Sequence, residues 1–586
     1  MSASLPCRSS GPPRLSRRAR VVLLALALLI SISALVVVIL RPVISPLLYG
    51  WTGEEDYLEQ IKGSVALALL TLCQSAPDTR DYIPIAHTGD NPFGINTFLE
   101  QEVEPAKVEL ALSMIHEAGF RWIRQQFPWE DIEISEKGDF WDHKWDVSAW
   151  EKYDRIVDLA DKYGLEIIAR LDNPPAWSRE EGVAASSLAP PDNYEDFGDF
   201  VYAVVSRYRG KVRHYQIWNE PNLYHEWGDR PVNAAEYVEL LKVAYTRAKE
   251  ADPDCVVLSA GLAQTMEEGP NNLDDLVYLQ QMYDAGVRDY FDVMGVMAYG
   301  LWTGPMDRRT SPDRTNFSRP QLIRDIMVRN GDAHKAIWAT EVGWNALPLD
   351  FPKTPNFGRV TLDQQARYAV EAYERAQREW PWMGVMNYWF FKRATDTEID
   401  QTFYYFRMVE PDFTPLPVYD TMSAYANRPP VMHIGYHQED HWAIDWHGSW
   451  RQEENGSAAL GRFAVGEDPG NTLDVTFDGT SLYLVTVRAP GMGALLYSVD
   501  GAPDSDLALS SNMMYERQVI INLATGLEDG EHHLHIRVAD GPVVIDGLVV
   551  QRSSSSLPKY LCQLAIGAAL FCVWLLGSMI FRKRRG

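Results

Sequence analysis

Two stretches decide the fold: Gln216-Ile217-Trp218-Asn219-Glu220-Pro221-Asn222 and Ala336-Ile337-Trp338-Ala339-Thr340-Glu341. Each is a short apolar, β-prone run closed by a glutamate, so each glutamate stands where a strand gives way to a loop. Outward from both, the same pattern recurs between Asn91 and about Asn427. Short apolar runs ending in polar or aromatic residues predict strands at Phe93–Thr97, Arg121–Gln125, Glu166–Leu171, Val212–Trp218, Cys255–Ala260, Val293–Ala298, Ala336–Thr340 and Val385–Phe390. Amphipathic stretches between them predict helices, among them Pro105–Ala118, Trp150–Tyr163, Asn193–Tyr208, Ala234–Ala251, Asn272–Ala285, Pro320–Asn330 and Leu362–Glu379. In the Trp150 helix, Tyr153, Ile156, Val157, Ala160 and Tyr163 recur on one face. Gly164 follows as the expected left-handed terminator.

Eight strand–helix repeats over residues 85–427 predict an α/β fold, a (β/α)8 TIM barrel. An open doubly wound sheet is the alternative, but the first strand–helix turn has no G-x-G-x-x-G and the chain has no P-loop. In a barrel, side chains at the strand C-termini converge on one face. Those ends carry Asn96, Arg124, then Asp172, Asn173 and nearby Trp177, then Asn219 and Glu220, and further on Tyr299, Glu341 and Trp389. Strands four and seven are nearly opposite in an eight-stranded ring, so Glu220 and Glu341 face each other across the mouth. Two facing carboxylates suit glycoside hydrolysis. One protonates the leaving oxygen and the other attacks the anomeric carbon or activates water.

Asn219-Glu220-Pro221 on strand four, Glu341 on strand seven, Arg124 on strand two and Tyr299 after strand six resemble the clan A glycoside hydrolases, of the family 39 and family 5 type. The resemblance covers roughly residues 85–427. It implies a retaining double displacement with Glu220 as acid/base and Glu341 as nucleophile. It also implies that Asn219 holds a sugar hydroxyl, that Arg124 and Tyr299 hydrogen-bond Glu341 and keep it ionised, and that Trp389 floors the cleaved subsite. Many family 5 members carry a histidine two residues before the strand-six tyrosine; here that residue is Met297. Asn96 and Trp177 are further substrate-binding candidates, although Asn often serves in turns and Trp in cores. Arg124 has a structural reading as an ion-pair partner. His87 and His143 are free candidates for sugar contacts.

The 586 residues suffice for more than one domain, and the formal net charge of −26 argues against a nucleic-acid partner, since phosphate binding wants a basic stripe. The 19 Trp and 28 Tyr suit sugar stacking but equally suit a core. Five cysteines make no disulfide framework, and no metal-ligand spacing or cofactor motif occurs. Cys73 and Cys255 read as buried free thiols, with a bridge between them left open.

Val21 to Leu40 is an unbroken apolar run preceded by Arg14, Arg17, Arg18 and Arg20. At about 1.5 Å per residue it reaches roughly 30 Å, one hydrocarbon core. It reads as an uncleaved anchor rather than a signal peptide. Leu561 to Phe581 is a second span, followed by Arg582, Lys583, Arg584 and Arg585. Basic clusters outside both spans place both termini in the cytoplasm and the chain between them outside. Ser64–Cys73 is too short to span; it either packs on the barrel or lies at the membrane surface.

From about His433 the chain reads all-β. Leu473, Val475 and Phe477 alternate with polar residues, as do His532, Leu534, Ile536 and Val538, with Gly-containing turns between. A β-sandwich is expected over 430–552, with loose resemblance to galactose-binding jelly rolls; it reads either as a sugar binder or as a spacer. His532, His533 and His535 read as strand positions rather than metal ligands. The expected order is a cytoplasmic N-terminus (1–20), span (21–40), linker with helical segment (41–84), barrel (85–427), β-sandwich (430–552), link (553–560), span (561–581) and basic tail (582–586). The expected function is a membrane-anchored extracytoplasmic retaining glycosidase acting on β-linked glycan. The alternatives are a non-catalytic glycan-binding barrel and a transglycosylase of envelope polysaccharide.

Overall fold

The computed structural model describes residues 41–512 and 515–553. Both expected spans, both cytoplasmic ends and nearly all of the 553–560 link lie outside the described residues. Among the described residues, no helix is long and apolar enough to cross a membrane.

The barrel strands are β1 (Phe93–Thr97), β2 (Trp122–Pro128), β3 (Glu166–Asp172), β4 (His214–Ile217), β5 (Val256–Leu258), β6 (Met294–Met297), β7 (Ile337–Val342) and β8 (Met383–Tyr388). All pair in parallel in the order β5-β4-β3-β2-β1-β8-β7-β6. Bridges Leu258↔Val293 and Leu262↔Val296 join β5 to β6 and close the ring. The strands are apolar on both faces because the barrel interior covers one and helices the other; β7 and β8 are buried along their whole length.

The helices are α1 (Pro105–Glu117), α2 (Glu151–Lys162), α3 (Tyr194–Tyr208), α4 (Ala234–Ala251), α5 (Asp275–Asp284), α6 (Pro320–Arg329), α7 (Leu362–Glu379) and α8 (Pro417–Ala426). Helix α7 begins at a capping box in which Thr361 and Gln364 satisfy each other's backbone N–H. It buries Ala366, Ala369, Ala372, Tyr373 and Ala376 at helical spacing. Helix α2 ends as expected, with Gly164 at φ +62°. The sequence-derived strands and helices are all present, and the helix α8 completes the eighth repeat.

The C-terminal region is a β-sandwich. Its larger sheet is built on two long antiparallel strands, Thr472–Arg488 and Glu516–Asp540, and a smaller one comprises Trp450–Glu454, Arg462–Gly466 and Val543–Ile545. Leu473, Val475, Phe477, Leu534, Ile536, Val538, Ala464 and Ile545 share one apolar core between the sheets. His532 meets Asp500, while His533 and His535 meet Asp474.

The sandwich docks at the N-terminal ends of β1 and β8, away from the barrel mouth. The Trp442 N–H donates to the Gly89 carbonyl (2.8 Å), and its ring meets Phe93 edge-on. Arg378 of α7 pairs with Asp478 (3.2 Å). A cavity of about 390 Å³ lies at this junction, lined by Arg378, Tyr425, His433, Trp442 and Asp478. The sandwich therefore braces the closed end of the barrel rather than framing the mouth.

Upstream of the barrel, a helix spans Tyr57–Cys73, capped by the Asp56 carboxylate on the Leu58 and Glu59 N–H groups. Cys255 is buried and free as expected; Cys73 is also free but exposed, which corrects the expectation that both thiols are buried. The reason is the helix's orientation, which presents its apolar side outward.

Candidate active site

Two of the residues after β4 hold left-handed backbone, Trp218 at φ +71° and Glu220 at φ +40°. This twist ends the strand and turns Glu220 into the mouth. It is fixed by hydrogen bonds to the neighbouring strands: Trp218 N–H donates to the Leu171 carbonyl near the end of β3 (3.0 Å), and Glu220 N–H to the Gly261 carbonyl after β5 (3.1 Å). Gly261 cannot be larger. A Cβ there would lie 2.2 Å from Thr340 Oγ1, immediately before Glu341. The ends of β4, β5 and β7 are thus packed against one another through a glycine.

Arg124 organises the site. Its guanidinium is buried at 2 % exposure and donates to four acceptors. These are Glu341 Oε1 (2.9 Å), Asn96 Oδ1 (2.7 Å), Asn219 Oδ1 (2.9 Å) and Gln216 Oε1 (2.7 Å). A buried charge of this kind is tolerated when its N–H groups and its counter-charge are both matched. Tyr299 Oη donates to the other carboxylate oxygen of Glu341, and its ring leans edge-on against Phe406 (5.4 Å). Burial and the Glu341 charge push the Tyr299 hydroxyl well above its ordinary range, so it stays a donor.

Glu220 is held differently. Among the described residues, no side chain hydrogen-bonds its carboxyl. Burial first, then the negative charges of Glu341 and Glu226, push it well above the ordinary carboxylate value; Arg124 and Arg170 oppose this less strongly. Glu226 is itself pushed upward by burial, and its carboxylate accepts from Asn219 Nδ2 (3.4 Å). The two strand-end glutamates thus occupy opposite environments: Glu341 is charge-paired and doubly hydrogen-bonded, and Glu220 is desolvated beside like charges.

Of the residues singled out from the sequence, Arg124, Asn96, Asn219, Tyr299 and Glu341 form one hydrogen-bonded network, with Glu220 beside it. Asn96 lies beneath this network. Its Nδ2 donates to the carbonyl of Thr340 (3.0 Å) and its Oδ1 accepts from Arg124, so the amide is spent inside the protein. Trp389 is partly exposed one step beyond β8. Its N–H donates to the Val342 carbonyl (2.8 Å), and its ring meets Phe98 edge-on at 5.5 Å. Trp177 stands outside the network, its indole donating to the Glu133 carbonyl (2.8 Å) and its ring edge-on to Trp129. Met297 is buried and accepts from Thr340 Oγ1 (3.5 Å), so it packs the wall behind Glu341. His87 lies at the closed end of the barrel, its carbonyl accepting from Trp338, and His143 pairs with Asp139. Gln216 and Glu226 join the site without having been singled out. For Gln216 the available signal was a polar residue in the middle of a buried strand.

Residues 84–288 match the family model for cellulase, glycosyl hydrolase family 5. The matched residues carry strands β1 to β5 of the barrel, and family 5 belongs to clan A of the glycoside hydrolases. The matched region contains Arg124, Asn219 and Glu220, and Tyr299, Glu341 and Trp389 follow it in the chain. The hydrolase is also similar to several solved structures. One is a family 39 glycoside hydrolase from Bacteroides cellulosilyticus WH2, at 19 % identity and TM-score 0.43, covering 80 % of this chain and 82 % of that one. Another is a glucosidase from Croceicoccus marinus, at 12 % identity and TM-score 0.45, covering 78 % and 98 %. A third is a family 5 subfamily 18 enzyme from Streptomyces cattleya, at 14 % identity and TM-score 0.45, covering 59 % and 83 %. A search of curated protein sequences finds no match. The hydrolase is a glycosidase.

Proposed function

We propose that this glycosidase cleaves β-linked glycosides with retention of configuration, with Glu341 as nucleophile and Glu220 as acid and then base. The observation that carries the reading is the contrast between the two carboxyls. Glu341 is paired with the Arg124 guanidinium and accepts a second hydrogen bond from Tyr299, while Glu220 is free of side-chain donors and driven toward its protonated form. An acid with a raised pKa beside an ionised carboxylate is the division of labour that glycoside cleavage requires.

In the first step, a Glu341 carboxylate oxygen bonds to the anomeric carbon while the glycosidic C–O bond breaks. The Glu220 proton passes to the departing oxygen. The product is a glycosyl ester on Glu341, which has lost its negative charge. That loss removes one cause of the raised Glu220 pKa, so the newly formed Glu220 carboxylate persists as a base. In the second step, Glu220 takes a proton from water as the water oxygen attacks the anomeric carbon. The ester bond breaks and Glu341 returns to its carboxylate. Asn219, fixed by Arg124 through Oδ1 and donating one Nδ2 hydrogen to Glu226, keeps its second Nδ2 hydrogen for a sugar hydroxyl. Trp389 offers a partly exposed ring as the sugar platform.

The hydrolase acts outside the cytoplasm, held to the membrane by the apolar segments 21–40 and 561–581. The flanking arginine and lysine clusters support that orientation. The test of the chemistry is the anomer released first. Proton NMR of early turnover of an aryl β-glycoside is expected to show the β-hemiacetal before mutarotation. Initial appearance of the α-hemiacetal would replace double displacement with single inversion.

A further inference from the structure

The helix Tyr57–Cys73 is built inside out. Its buried residues are Gln60 and Gly63, which face the protein. Gln60 Nε2 donates to the Glu54 carbonyl (2.9 Å), Ser45 Oγ donates to Gln60 Oε1 (2.9 Å), and Gly63 packs so closely that a Cβ would sit 3.0 Å from both Arg309 and Thr52. The apolar residues point away. Leu58, Val65, Leu69 and Leu72 are 65 %, 57 %, 57 % and 64 % exposed, with Ile61 in the same stripe. Their spacing at three- and four-residue steps makes one continuous face. The preceding helical residues 41–52 add Val43 and Leu47, also exposed.

This face has no cover among the described residues, and its surroundings in the chain indicate what covers it. The uncharged run Val21–Leu40 ends directly at Arg41, where the exposed apolar residues begin. Gly63 to Cys73 carries no charged residue at all. Seventeen residues at about 1.5 Å each give roughly 25 Å, and the helix's two charged residues, Glu59 and Lys62, pair within its N-terminal turns (2.6 Å), where Glu59 lies off the apolar stripe and Lys62 borders it. An amphipathic helix of this kind lies in the bilayer interface rather than across it. We propose that the Leu58–Leu72 face rests in the interfacial layer of the membrane that carries the anchor, making a contact separate from the spans. The helix is fixed to the barrel: residues 41–52 reach α7 through Tyr49, whose hydroxyl bonds Glu371 and whose ring stacks on Tyr368. The contact therefore fixes the barrel's tilt and height above the lipid.

The inference rests on the anchoring proposed above, and two measurements on the full chain in phosphatidylcholine–phosphatidylglycerol vesicles separate them. Retention after carbonate extraction tests the anchoring. If the chain is released, the anchoring fails and this inference fails with it. In the retained chain, an environment-sensitive fluorophore is placed at Val65→Cys, at Leu69→Cys and at Glu59→Cys, which lies off the apolar stripe, each with the other cysteines replaced by serine. The probes at 65 and 69 are expected to be quenched at least twofold more than that at 59 by lipids bearing a nitroxide near the headgroup end of the acyl chain. Equal quenching of all three by aqueous iodide would overturn the inference, as would shielding from both quenchers, which would mean cover by a span or by a second copy. A second measurement leaves the native cysteines in place. Cys73 is expected to react slowly with a membrane-impermeant maleimide, and Val65→Glu with Leu69→Glu to raise that rate at least fivefold. An unchanged rate would also overturn the inference.

Discussion

Replacing Tyr299 by Phe removes one atom from the site and leaves its shape intact. The ring keeps its edge-on contact with Phe406 at 5.4 Å. The lost hydroxyl is one of two groups holding Glu341, the other being Arg124 at 2.9 Å. A hydrogen bond to a charged acceptor contributes about 1.5–3 kcal/mol. At about 1.36 kcal/mol per tenfold in rate, Tyr299→Phe should lower turnover roughly 10- to 150-fold. If Tyr299 acts by holding the nucleophile, kcat and kcat/KM fall together and KM barely moves. The assay is steady-state hydrolysis of an activated aryl β-glycoside that the wild type turns over, with circular dichroism to confirm folding. A change below threefold, or a rise in KM at unchanged kcat, would refute the reasoning, because either result would make Tyr299 a wall or binding residue.

Glu220→Gln should reduce hydrolysis of alkyl glycosides about 10²- to 10⁴-fold, the usual worth of general acid catalysis. For a dinitrophenyl glycoside, formation of the glycosyl ester should be nearly unaffected and azide should restore turnover as a β-glycosyl azide; equal losses on both substrates would remove Glu220 from the acid role. Glu226→Gln removes a negative charge that raises the Glu220 pKa. Activity needs protonated Glu220 and is lost as pH rises through its pKa, so the basic limb of kcat/KM should move to lower pH. An unmoved limb would show that Glu226 does not act on Glu220. Gly261→Ala places a methyl against Thr340 and should cut kcat on the order of 10²-fold, the scale of an ångström-level misplacement, with a folded circular dichroism spectrum. Wild-type kcat would mean the strand ends yield without cost to the site.

The barrel was legible because each strand is an apolar run ended by a polar residue, and because parallel pairing fixes which residues share a face. Asn96 pairs in register with Arg124, and Met297 with Glu341, so counting strands was enough to bring those side chains to one rim. Arg124, Tyr299, Asn219 and both glutamates meet for that reason. Asn96 shows where counting stops. Its position was right, but the buried guanidinium needed an acceptor, and the amide turned inward to supply it. Gln216 was hidden because a polar side chain inside a buried strand reads as an interruption until its partner is seen across the barrel. Glu226 was hidden because its place depends on the left-handed turns at Trp218 and Glu220, which residue spacing does not encode. The Tyr57–Cys73 helix reversed the ordinary rule: apolar residues predict burial only when protein is the available apolar surroundings.

The central claim is that Glu341 forms a covalent bond with the sugar. An activated 2-deoxy-2-fluoro β-glycoside slows both steps, the second more than the first, so the glycosyl ester accumulates. Incubation with the wild-type hydrolase, followed by proteolysis and tandem mass spectrometry, should place one fluoroglycosyl group on Glu341. Inactivation should be reversed slowly by an acceptor sugar. A label on Glu220 or Glu226 would contradict the account, as would an unlabelled enzyme that still turns over the parent glycoside.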